Sequence, residues 1–342
     1  MKIKETYKTK EKIMNNSLTE EQVKVLNMSQ SVINEVRKVI IGKDEIIIKV
    51  LLSILAGGHI LIEDIPGVGK TTLAVALSKA LSLDYKRLQF TPDVLPTDVT
   101  GFTILNKETH KFEYKQGAAL TNLFLADEIN RTSSKTQSAL LEVMEEGKVT
   151  VDGVSHEMPK PFIVIATQNP KGSAGTQLLP ESQLDRFMIC MSMGYPDYRD
   201  ELEIAKGKSI KSQITDIHPV MNALGLYEMQ RQVEQVFVHD NIYAYIVSLV
   251  SATRNNPYID LGISPRGTIA CTKMAKAYAY LCGRNYVIPE DVTAIFADIA
   301  KHRIVLNTKA RVSHVTETDV INQILGTTGQ PATYMNKVVY SD

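Results

Sequence analysis

Ile60-Leu61-Ile62-Glu63-Asp64-Ile65-Pro66-Gly67-Val68-Gly69-Lys70-Thr71-Thr72 is the stretch that decides the fold. It opens as an apolar run of strand length, passes through a turn with two glycines, and closes on residues that start a helix. Gly67 and Gly69 let main-chain N–H groups turn inward and cradle phosphate oxygens. The helix beginning at the same place adds the positive end of its dipole. In such a loop Lys70 reaches the β- and γ-phosphates and the Thr71 hydroxyl coordinates Mg²⁺, with Pro66, Val68 and Thr72 completing the cradle. One residue departs from the pattern. Asp64 stands where G-x-x-x-x-G-K-[ST] has its first glycine, and an acid there does not itself face phosphate. The plainer alternative is a Gly-rich turn that only joins a strand to a helix.

Downstream, Asn122-Leu123-Phe124-Leu125-Ala126-Asp127-Glu128 is an apolar strand ending in two acids. In a parallel sheet the strand C-termini share one edge, which brings Asp127 beside the phosphate loop. Asp127 is the candidate for the Mg²⁺ shell and Glu128 for polarising the attacking water. Neighbouring acids on a strand face opposite ways, so two roles are expected. Ser133 and Gly147 are the expected caps of the helix that follows.

Farther out, short apolar runs near 59–63, 87–90, 122–127, 162–166 and 187–192 alternate with helical patterns. That alternation predicts a parallel sheet covered on both faces. Past Pro196 the long patterns are helical, about 199–208, 227–236, 239–254, 264–283 and 289–301. The reading divides the chain into a polar tail (1–20), a nucleotide-binding α/β core (21–195) and a helical lid domain (196–342). The fold class is thus α/β followed by an α-helical lid.

Composition bounds the function. The chain has 342 residues, 44% hydrophobic and 22% charged, with 38 Lys+Arg against 38 Asp+Glu. This is ordinary globular usage, and zero net charge argues against a broadly basic nucleic-acid binder. Cys190, Cys271 and Cys282 have no CxxC spacing and read as thiols of a reducing compartment, not as a disulfide frame or zinc ribbon. The lysine-rich start, Met1 to Lys12, is no signal peptide. The longest apolar run is broken by Gly57, Gly58 and His59, so no membrane span is expected. A cytoplasmic protein follows as the expectation. The histidines form no evident metal cluster, and His59 and His302 read as packed or exposed.

Taken together, these residues resemble the MoxR family of AAA+ ATPases over roughly residues 32–325. The resemblance rests on Gly57 to Asp64, the Gly67-Val68-Gly69-Lys70-Thr71-Thr72 loop and Gln89-Phe90-Thr91-Pro92-Asp93-Val94-Leu95-Pro96. It rests equally on Leu125-Ala126-Asp127-Glu128-Ile129-Asn130-Arg131, Ala166-Thr167-Gln168-Asn169-Pro170, Leu179 to Phe187 and Ser264-Pro265-Arg266-Gly267. It implies a P-loop core with five strands in the order 5-1-4-3-2, an insert near 101–119 and a β-hairpin near 148–158. The Asp152-Gly153 pair independently signals a type I′ turn at that hairpin.

By the same resemblance Asn169 is the sensor that orients water against the γ-phosphate. Arg186 is the arginine finger that reaches a neighbouring subunit's nucleotide; the plainer reading pairs it with Asp185. Arg266 is the second sensor, aimed from a helix N-terminus capped by Ser264 and opened by Pro265. Ile41 and Gly42 pack on adenine, unless they form only a helix-breaking turn, and Arg131 is a further interface cation. The family implies ATP and Mg²⁺, a homo-oligomeric ring, most simply a hexamer, a protein client, and often a partner with a von Willebrand A domain. Two departures stand out. Lys171 to Gln177 replaces an acidic and aromatic stretch, and Ile288 replaces the polar cap expected before Pro289-Glu290-Asp291. A nucleotide-controlled interaction module with little turnover and a DNA-directed motor remain as alternatives, the latter disfavoured by the neutral charge.

Overall fold

The computed structural model describes residues 20–169, 179–206 and 214–331. The polar tail ahead of residue 20 and the loop Lys171 to Gln177 lie outside the described residues.

In chain order the strands are β1 (Ile60–Glu63), β2 (Tyr85–Gln89), a hairpin of β3 (Gly101–Leu105) and β4 (Phe112–Gln116), β5 (Leu123–Asp127), a hairpin of β6 (Lys148–Val151) and β7 (Val154–Glu157), β8 (Ile163–Gln168) and β9 (Ile189–Met191). The main sheet runs β2-β5-β8-β1-β9, all parallel. Numbered by its own five members alone, that is the order 5-1-4-3-2. Every residue of β5 and β8 is buried, as expected of central parallel strands with both faces covered, whereas β2 at the edge is half-exposed. The chain leaves β1 for the far edge and works back through β5 and β8, so the C-terminal ends of these three strands face one crevice.

Helices α1 (Glu20–Arg37), α2 (Asp44–Leu55), α3 (Lys70–Ala80), α4 (Pro96–Thr100), α5 (Ser134–Glu146) and α6 (Glu181–Leu184) belong to the first part of the chain. The later ones are α7 (Tyr198–Lys206), α8 (Ala223–Glu234), α9 (Asp240–Arg254), α10 (Pro265–Leu281), α11 (Pro289–Ala300), α12 (Thr308–Val312) and α13 (Glu317–Thr327). The α2 sequence is apolar nearly all round, with Ile47, Ile48, Val50, Leu51, Leu52, Ile54 and Leu55 buried. A helix of that kind must be covered on every side. Here it lies between the sheet layer and the lid helices, and one continuous apolar cluster runs from β1 through α2 into α10 and α11. Lys49 on α2 also pairs with Asp298 on α11 at 2.8 Å. A second cluster on the other face of the sheet joins Leu61, Phe124 and Ala166 to α5.

Local chemistry sets the element ends. Ser133 caps α5 by accepting from the Thr136 N–H, and Gly147 ends it in the left-handed region. Asp152 and Gly153 both have positive φ, the type I′ geometry expected at the β6–β7 turn. At α11 the side chain of Ile288 cannot cap. Asp291 does the work from inside the helix, its Oδ2 accepting the Ile288 N–H at 2.9 Å while Arg284 holds the same carboxylate. The lid is not purely helical, since a short antiparallel pair, β10 (Ile259–Leu261) and β11 (Val305–Leu306), ties the link between α9 and α10 to the link between α11 and α12. The last helix was absent from the sequence expectation, although Thr316 and Asp319 form a reciprocal cap at its start.

Among the described residues no helix is long and apolar enough to cross a membrane, and no group of three His, Cys, Asp or Glu side chains is placed to hold a metal. Cys271 and Cys282 are buried free thiols and Cys190 is partly buried. His59, read from the sequence as packed or exposed, is packed: its Nδ1 accepts the Val164 N–H and its Nε2 lies 3.1 Å from the Met144 carbonyl, while His302 Nε2 lies 3.2 Å from the Phe187 carbonyl.

Candidate active site

The loop after β1 has the conformation its glycines permit. Gly67 (φ 90°) and Gly69 (φ 96°) both lie in the region that favours glycine, and Gly69 opens α3. The Lys70 ammonium is buried against the loop itself, donating to the carbonyls of Asp64 at 2.6 Å and Ile65 at 3.2 Å. Burial pushes its pKa below the ordinary lysine value, while the charges of Asp64, Asp127 and Glu128 oppose that shift. Thr71 and Thr72 follow on the first turn of α3, half-buried.

Gly67, Val68, Gly69 and Thr72 line a cavity of about 320 Å³, whose other walls are Ile40, Ile41 and Lys43 on one side and Met193, Tyr195, Pro196 and Ile204 on the other. Ile41, the residue read as packing on adenine, is on the cavity wall. Gly42 is not on the cavity wall. It has φ 72°, and a Cβ there would collide with the Asp200 carboxylate, so its glycine serves the close approach of α7.

Asp127 and Glu128 end β5 in different states. Asp127 is pinned from two neighbouring strands: Oδ1 accepts from the Thr167 hydroxyl at 2.5 Å, and Oδ2 accepts from Arg87 at 2.7 and 3.1 Å. Glu128 has left the strand, with φ 58° and ψ 45°, and its N–H donates to the Thr167 Oγ1 at 2.9 Å. The Glu128 Oε1 accepts from Asn169 Nδ2 at 3.3 Å, and Arg131 Nε lies 3.2 Å from Oε2. That Arg131 contact lacks hydrogen-bond alignment, which leaves a buried carboxylate oxygen unsatisfied at the site's centre. Asn169 is itself held at its main chain, its carbonyl and N–H both bonded to the buried Asn130 side chain.

These groups suit a nucleotide with its cation. A glycine-rich turn before a helix and a lysine fit phosphate, and a threonine hydroxyl and an aspartate carboxylate are hard oxygen donors of the kind Mg²⁺ prefers. Arg87, Thr167 and Asn130 were missed by the sequence reading. Their partners lie 40, 40 and 39 positions away, so only strand register brings them together.

Arg186 and Arg266 are placed elsewhere. Neither lines the cavity of the phosphate loop. Both guanidinium groups instead grip the Glu145 carboxylate at the end of α5, Arg186 on Oε2 and Arg266 on Oε1. Arg186 also donates to the Leu141 carbonyl at 3.0 Å. Arg266, expected to aim at phosphate, thus lies on Glu145 and not on the wall of this cavity. Its helix start is as expected, with Ser264 Oγ accepting the Gly267 N–H, but the lid's docking turns that end toward α5. The same docking excludes an Arg186–Asp185 pair, because Asp185 is taken by Arg303 at 2.8 Å and by the Ser264 hydroxyl at 2.7 Å. Arg131 pairs with Glu128 of its own chain.

Residues 59–189 match the model of the ATPase family associated with various cellular activities (AAA), and residues 251–324 match the AAA lid domain. The chain is 46% identical over 299 residues to the uncharacterized protein YeaC of Bacillus subtilis, covering 87% of this chain and 93% of that one. It is 36% identical over 306 residues to Chaperone MoxR1 of Mycobacterium tuberculosis, covering 87% and 81%. The crystal structure of an ATPase candidate from Cytophaga hutchinsonii superposes with a TM-score of 0.83 at 37% identity, over 92% of this chain and 98% of that one. On these matches, which cover most of its length, the chain is a member of the MoxR family of AAA+ ATPases.

Proposed function

We propose that the protein hydrolyses ATP with Mg²⁺ in a homo-oligomeric ring, most simply a hexamer, and uses the cycle to remodel a protein client in the cytoplasm. Lys70 and the loop N–H groups bind the phosphates, while Thr71 and Asp127 hold the Mg²⁺. When bound, that ion offsets the phosphate charge. Glu128 takes the water's proton, Asn169 fixes the Glu128 carboxylate, and Ile41 contributes to the base wall. Arg186 and Arg266 belong to a neighbour's nucleotide. The observation that carries this reading is their joint position on Glu145, off the cavity of their own chain. Two cations that do not reach their own phosphates suit a site completed in trans, and an arginine supplied in trans is worth roughly 10³–10⁵ in rate in GTPases.

The apolar side chains Phe102, Leu105 and Phe112 on the β3–β4 hairpin are exposed and offer a client-facing surface. A partner with a von Willebrand A domain stays part of the proposal, on the family resemblance alone. Glu128→Gln tests the hydrolytic role. It should bind ATP with near-normal affinity and lose at least about a hundredfold in turnover, as loss of a general base does; normal turnover rejects the assignment. A low-turnover switch has one observation in its favour, since Arg131 also engages Glu128. Activity that stays near zero in the wild type at every protein concentration, despite ATP binding, supports that second reading.

A further inference from the structure

Asp64 is the residue that broke the loop pattern, and its surroundings give it a task. It is 6% exposed at the end of β1. Its Oδ1 accepts the Ile65 N–H at 2.9 Å, and its Oδ2 accepts both the Ser192 hydroxyl at 2.9 Å and the Gly194 N–H at 2.7 Å. Burial alone would raise its pKa. The hydrogen bonds from Gly194, Ser192 and Ile65 outweigh burial and hold the carboxyl below the usual aspartate range, so it is charged at neutral pH.

The segment it grips is one side of the nucleotide cavity. Met193, Tyr195 and Pro196 flank Gly194 and line the same cavity as Gly67 and Gly69. Gly194 has φ 62°, so the chain turns sharply at the atom Asp64 holds. The next carbonyl, of Tyr195, accepts from Lys43 Nζ at 2.7 Å. Two consecutive residues of this wall are thus fixed, one to the phosphate loop and one to the Ile41 side of the cavity. A carboxylate suits the task because three donors converge on it. An amide of the same size must turn its NH₂ toward one of them, and a glycine offers nothing.

We infer that Asp64 is a positioning residue that fastens the base-side wall of the nucleotide cavity to the phosphate loop. The inference rests on the ATP reading above. It reverses what the loop pattern alone says: Asp64→Gly restores the consensus glycine yet removes the tie.

The test compares two ligands in the presence of Mg²⁺, ATP and inorganic tripolyphosphate, by calorimetric titration of the full chain. Tripolyphosphate meets the loop but has no base to meet the far wall. Asp64→Asn and Asp64→Gly should weaken ATP about tenfold or more, the scale of a lost charge-assisted hydrogen bond, with tripolyphosphate affinity changed by less than about threefold. Ser192→Ala removes one donor and leaves the carboxylate, so it should weaken ATP in the same direction by a smaller factor while keeping the wild-type melting temperature. Equal loss for both ligands would mean Asp64 serves the phosphate loop itself and overturns the inference. Unchanged ATP affinity in all three variants overturns it too, and wild-type binding of both ligands would leave the ATP reading standing. A wild type that binds neither ligand rejects the ATP reading and this inference together.

Discussion

Thr167 holds two consecutive residues of the site through one hydroxyl, donating to Asp127 and accepting from the N–H of Glu128. Glu128 needs that support because a non-glycine residue at φ 58° is strained, by roughly 1–3 kcal/mol. Thr167→Val keeps the shape and removes both bonds. It should cost about 1–3 kcal/mol of stability, the penalty of a buried polar group left unpaired. It should also lower kcat by about tenfold or more with KM for ATP nearly unchanged, because the loop that binds phosphate is untouched. Steady-state kinetics beside urea unfolding check this; a rise in KM at constant kcat would contradict it. The acids themselves were legible, because they end an apolar run downstream of a phosphate loop. Thr167, Arg87 and Asn130 were not, because register decides their role. Gln89 pairs with Asp127, and Ala126 with Ala166, through β-ladders that no local pattern encodes.

His59 works at the scale of elements, tying the start of β1 to β8 through Val164 and to the end of α5 through Met144. Burial pushes its pKa down to about 4 from an ordinary 6.5. The unfolded chain therefore binds a proton between those values that the folded chain refuses. Stability is fully present above the unfolded value and is lost as pH falls toward the folded one. His302 is shifted in the same direction, again by burial first. Between pH 7 and pH 5, His59 alone should remove about 2 kcal/mol. Urea midpoints at the two pH values check the slope, and His59→Gln should flatten it; an unchanged slope assigns the loss to other groups.

The strands and long helices were readable at this scale, since apolar run length and caps such as Ser133 and Gly147 are local signals. The β10–β11 clip and α13 were not. Two- and three-residue strands carry no periodicity, and the sequence mark of α13 is its Thr316–Asp319 cap ahead of one short helix. Arg266 belongs here as well: its helix cap was legible, but the direction of that helix depends on how the lid docks, and buried Arg303 on Asp185 sets the docking.

Across the whole molecule, the apolar cluster that passes from sheet to lid through α2 binds the two parts into one body. In such a body Arg186 and Arg266 sit on Glu145, off the wall of the phosphate-loop cavity. A heterologous, head-to-tail contact between identical chains brings these two places together and closes a ring when the rotation permits. In the proposed ring each catalytic site is shared between chains, and mixing two inactive variants tests that sharing. Glu128→Gln retains its arginines and loses its base; Arg186→Ala retains its base and loses its finger. Each alone should show little ATP turnover. Mixed in equal amounts, they should regain activity at roughly one interface in four, where an intact Glu128 meets an intact Arg186. A mixture no more active than its two components, or an Arg186→Ala protein that hydrolyses ATP at the wild-type rate alone, contradicts the shared site.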